Sequence, residues 1–169
     1  MSLLSAVEAF LVRADWPYER LADDDPDLDV GDTPVFLTSV RSDDESWPVL
    51  IVVAGDGPTH LVVQSVLPVT VPAGDEVPGM EILTRLNDGL VNGCLELNFD
   101  DGTIRLRSSM PIRSLAAVAG DVLGEVVEEL VIGNVETADW LLPALRAVIR
   151  DGIAPSLAVA ALEAGVPPS

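Results

Sequence analysis

The chain predicts an α+β fold, with an antiparallel sheet of about five or six strands and helices packed on one face. Three observations carry this. Apolar residues recur at helical spacing at the start of the chain, between 79 and 91, and through its last third. Apolar, β-branched runs fill the stretch from 34 to 69. The connections between those runs are of hairpin length, which favours antiparallel pairing. At 169 residues the chain suits one domain, placed here at 1–152, with a tail at 153–169 that adds a short helix.

Residues 2–14 set Leu3, Leu4, Val7, Phe10, Leu11 and Ala14 on one face, with Ser2 as N-cap. A short strand follows at 18–22. "DDDPDLDVGD" (23–32) is a loop, since its charges repel and its proline breaks a helix. Strands are expected at 34–41 and 47–54. The second, "WPVLIVVA", is almost continuously apolar and suits a central position. The next runs from 59 to 69, with Pro68 ending it or placing it at an edge. A helix at about 79–91 turns Leu83, Leu86 and Leu90 inward, and "NG" at 92–93 stops it.

A hairpin comes next, turning on Asp101 and Gly102 as a two-residue loop. That turn sets Asp100 opposite Thr103, Phe99 opposite Ile104, Asn98 opposite Arg105, Leu97 opposite Leu106 and Glu96 opposite Arg107. A helix over 115–131, capped by Ser114, keeps its apolar period throughout. "GNVET" breaks it, and a last full helix spans 138–152, with Pro143 in its first turns and Gly152 as its stop. The order is helix, three or four strands, helix, two strands, helix, helix.

Charge and residue counts exclude several classes. There are 28 acidic residues against nine arginines and no lysine, a formal charge of -19. Such a field repels phosphate backbones and anionic membranes, so neither nucleic acid nor membrane is an expected partner. It serves solubility in a salty cytoplasm, or it attracts a basic partner. No apolar run reaches the ~18 residues that span a bilayer, and the first residues read as an amphipathic helix rather than a signal peptide. With Cys94 the only cysteine, no disulfide framework forms within the chain, and a cytoplasmic location is expected.

No catalytic constellation is visible, and no cofactor is expected. Asp25, Asp27 and Asp29 alternate as in a calcium loop, but Val30 stands where glycine is needed and Phe36 where a bidentate glutamate is needed. His60 and Cys94 are too few for a zinc site, and His60 lacks a nucleophile motif to serve. It reads as a strand-edge residue. Two features remain. Arg105 and Arg107 lie on the hairpin's outer face, either as a solvated surface or as a site for an acidic motif. Gly120 and Gly124 each cost the 115–131 helix about 1 kcal/mol relative to alanine. Close packing offsets that cost, against the chain's own sheet or a second subunit.

"LNDGLVNGCLELNFDDGTIRLRSSMPI" (86–112) and "ADWLLPALRAVIRDGIAPSLAVA" (138–160) together resemble the YbjN family, described as bacterial sensory transduction regulators. The family is similar in fold to type III secretion chaperones, with the order α-β-β-β-α-β-β-α. Trp140 replaces another aromatic of the family pattern, and Ala154 a small polar cap. The family has no established catalytic residues. The resemblance implies a non-enzymatic, chaperone-like homodimer that recognises a segment of another protein. A sensory module with a small ligand between sheet and helices is the alternative.

Overall fold

A computed structural model describes residues 2–21, 33–42, 45–54, 60–112 and 120–166, without the side chains of 120 and 121. The loop with Asp25, Asp27 and Asp29 and the stretch 113–119, with its expected Ser114 cap, lie outside the described residues. Helix α1 (Leu3–Arg13) starts where Ser2 accepts the Ser5 N–H, and it buries Leu3, Ala6, Val7, Phe10 and Leu11. Six strands follow in chain order: β1 (Tyr18–Leu21), β2 (Val35–Arg41), β3 (Ser46–Ala54), β4 (His60–Thr70), β5 (Cys94–Leu97) and β6 (Thr103–Pro111). They form one antiparallel sheet in the order β1-β2-β3-β4-β6-β5. Helix α2 (Glu76–Gly89) precedes β5, and α3 (Gly120–Ile149) and α4 (Pro155–Glu163) close the chain. The α+β expectation is met.

The core lies between the helices and one face of the sheet. Phe36, Ile51, Val63, Leu106 and Leu95 supply the strand side, and α1, α2 and α3 supply the other. Helix α4 rests on α2 and α3 and buries Ala158.

Five expectations need correction. The break at 133–137 does not occur, since α3 runs unbroken from 120 to 149. Asn134 is buried, and its side chain reaches the sheet instead of forming a turn. Counted as inward, Asn134 completes a row of Leu130, Val131, Ala138, Leu141 and Leu145 at helical spacing. Pro143 therefore sits inside the helix, on an exposed position, rather than at its start.

Pro68 neither ends β4 nor lies on an edge strand. It falls beyond Ser65, the last residue paired with β3, and within the register shift between Val66 and Thr70 on the β6 side. Its missing N–H thus interrupts no regular ladder. Helix α2 begins at Glu76, three residues earlier than expected.

The hairpin is shifted by two residues. Leu97 pairs with Ile104, Glu96 with Arg105, Leu95 with Leu106 and Cys94 with Arg107. Asn98 N–H donates to Thr103 O, and Gly102 N–H donates to Asn98 O, closing a longer loop. Side chains build that loop: Asn98 Oδ1 accepts the Asp100 N–H, and Asp101 Oδ1 accepts the Thr103 N–H. The shift is even, so each strand residue keeps its predicted face, but Phe99 leaves the ladder and stands 66% exposed.

Candidate functional site

Residues alternate between the two faces of a strand, and among the described residues the helices cover one face of this sheet. On the other stand Leu37, Leu50, Val52, Val62 and Val66, all half-buried and all outside the core cluster, while Val35, level with Val52 at the β1 side, is fully buried. Register assembles them. Leu37 is level with Leu50, Leu50 with Gln64, and Gln64 with Arg107. Val52 is level with Val62, and Val66 with Arg105. Toward β1, a shallow depression of ≈ 340 Å³ is lined by Glu19, Leu37, Ser39 and Pro48 among others.

This outer face holds both predicted arginines. Arg107 hydrogen-bonds Glu96 at 2.6 Å, diagonally across the hairpin. That bond, strengthened by the opposite charge, holds its pKa above the ordinary value. Arg107 also donates to Cys94 Sγ at 3.8 Å. Arg105 faces Glu96 in register, but Glu96 is committed to Arg107. Arg105 Nε is covered and has no hydrogen-bond partner. Its guanidinium acts on Asp101 only through charge, a lesser contribution beside the hydrogen bonds from Thr103 that hold that carboxyl below its usual range. Among the described residues, the charged groups on this face are Arg41, Arg105 and Arg107 against Glu19 and Glu96.

The helical side differs in charge. Glu125, Glu128, Glu129 and Glu136 surround Ile132 and Gly133 in an open depression on α3. Glu128 pairs with Arg13 of α1. Gly124 is half-buried one turn before Glu128, while the surroundings of Gly120 lie outside the described residues. His60 is the exposed first residue of β4, level with Ala54 and Pro111. A concavity of ≈ 360 Å³ opens where α2 begins and α3 meets α4, lined by Asp75, Gly79, Ile149 and Pro155 among others. No sheet residue lines it. Among the described residues, no group of three or more His, Cys, Asp or Glu is placed to hold a metal ion, and no helix is long and apolar enough to cross a membrane.

The outer apolar row was not singled out from sequence, although the signal was present. "VLIVVA" and "LVVQSV" lack the polar alternation of a strand with one wet face. No protein-family model matches the chain, and comparison with curated proteins finds no match.

Proposed function

We propose that this protein is a non-enzymatic, chaperone-like binding domain of the YbjN type, which holds a segment of another protein on the outer face of its sheet. One observation carries the reading. Strands β3 and β4 are apolar on both faces, yet among the described residues the helices cover one. Strands with that composition belong between two layers, and a contiguous apolar surface of this kind is the mark of an interaction site. The segment of a partner is the missing layer.

The likeness to type III secretion chaperones and the cytoplasmic location belong to the same proposal. So does a homodimer, in which a second subunit approaches α3 at Gly120 and Gly124. The double change Gly120→Ala/Gly124→Ala should then weaken the dimer in light scattering, and an unchanged mass would place the glycines within the subunit.

Capture from the native lysate at physiological salt tests the binding role, with Leu50→Asp/Val62→Asp as the control. The wild type should retain a specific protein that the folded control loses. Equal retention by both, or no retention together with turnover of a small substrate, would overturn the reading.

A further inference from the structure

The outer sheet face also indicates the chemistry of what it binds. In a chain of charge -19, its described charges are three arginines against two glutamates. One of those glutamates is already engaged by Arg107. Arg105 makes no ion pair or hydrogen bond among the described residues, and its Nε is shut away from water. It stands level with Val66 of β4. An arginine partly withdrawn from water beside an apolar surface is stabilised most by a carboxylate, which its fork can bind through two parallel hydrogen bonds.

We propose that the face takes a partner segment that is apolar but carries a carboxylate side chain, with apolar residues over Leu50, Val52, Val62 and Val66 and the carboxylate on Arg105. This rests on the protein-binding reading above. A second copy of the chain suits the face less well. It would bring its own Arg105 and no uncommitted acid on β5 or β6. The chain's own charge does not prevent a segment with one or two acids from binding, because physiological salt screens charges beyond about 8 Å.

Selection of a random peptide library on the immobilised full chain tests the proposal. Enriched peptides are then synthesised and titrated against the wild type, Arg105→Gln and Leu50→Thr/Val62→Thr, each variant first shown to be folded by circular dichroism. Enriched peptides should combine apolar residues with Asp or Glu. Arg105→Gln should weaken them by at least about tenfold, the loss expected for one charge-assisted hydrogen-bonded contact. Amidating the peptide's acid should cost about as much, and should add little once Arg105 is gone. Lysine- or arginine-rich peptides insensitive to the face variants would overturn this proposal while leaving a protein-binding role on the acidic helical side. No enrichment above background would overturn both readings. A wild type that sediments as a dimer, and becomes monomeric in Leu50→Thr/Val62→Thr, would assign the face to a second copy and overturn the carboxylate proposal.

Discussion

Asn134 ties α3 to two strands at once. Ser65 Oγ donates to its Oδ1 at 2.8 Å, while its Nδ2 donates to Leu106 O at 3.1 Å and Ser108 Oγ at 2.9 Å. All three of these polar side chains are buried, so removing one partner strands the others without water. Asn134→Leu should lower unfolding stability in urea by about 3 kcal/mol. Adding Ser65→Ala and Ser108→Ala should recover part of the loss, because an all-apolar contact leaves no unpaired side chain. A loss below about 1 kcal/mol would show that the network is open to water.

Gly102 shows a different residue-scale constraint. Its φ is +72°, and a Cβ there would lie 2.1 Å from Val71 O, whose own N–H donates to Gly102 O. Gly74 has φ +100° and open space around it. Gly102→Ala should therefore cost more than Gly74→Ala, by about 1–3 kcal/mol in the same urea assay. Equal costs would mean that the loop moves freely away from β4.

At the scale of elements, two contacts hold ends that would otherwise fray. Asn87 of α2 accepts the Leu95 N–H and donates to Leu95 O. Both backbone groups that β5 turns away from β6 at Leu95 are thereby closed to an added strand. Asn87→Ala should lower stability by about 1–2 kcal/mol and raise the rate of aggregation followed by light scattering. Aggregation at the wild-type rate would contradict the edge-blocking role.

Glu45, at the β2–β3 turn, takes Arg146 at 2.6 Å and Arg150 at 3.0 Å from the end of α3. Burial raises its carboxyl, but the hydrogen bonds and charges of the two arginines together outweigh burial and hold it below 4.5. A depressed folded-state pKa contributes stability that is complete above the unfolded value and disappears as pH falls through the folded one. The stability difference between wild type and Glu45→Gln should therefore be full above about pH 5, modest at about 1 kcal/mol because the arginines are partly exposed, and should shrink below pH 4.5. A difference independent of pH would remove the ion pair as its cause.

Elements were legible where one local signal governed them. Helix α1, the strands of the β2–β4 meander and the inward face of α2 follow directly from apolar period and capping. The rest depended on distant contacts. Gly133 and Asn134 read as a break because the partners of Asn134 lie on β4 and β6. The Asp101–Gly102 pair reads as a two-residue turn, but the Asn98 and Asp101 side chains lengthen the loop. Arg105 and Arg107 were placed on the correct face because an error of two residues preserves alternation.

For the whole molecule, charge and surface pattern are the governing facts. With a formal charge of -19, self-repulsion opposes the compact state until salt screens it. The thermal midpoint should rise between ~10 mM and ~1 M sodium chloride, and a flat or falling curve would mean that the acids are neutralised locally. The outer sheet face was half-legible. Its apolar strands announced a second buried surface, and the described helices show that the core satisfies one of the two. The helical depression ringed by Glu125, Glu128, Glu129 and Glu136 and the arginine-bearing sheet face divide the described surface by charge. That contrast separates the proposed docking face from the solvated one.

The central claim is that a partner lies across the outer face of β3, β4 and β6. Hydrogen-exchange mass spectrometry of the protein, free and with a captured or selected partner segment, tests it most directly. Binding should protect peptides covering residues 48–54, 60–66 and 103–109, with α3 unchanged. Protection confined to α3 around residues 125–136, or to the α2–α4 concavity, would contradict the claim.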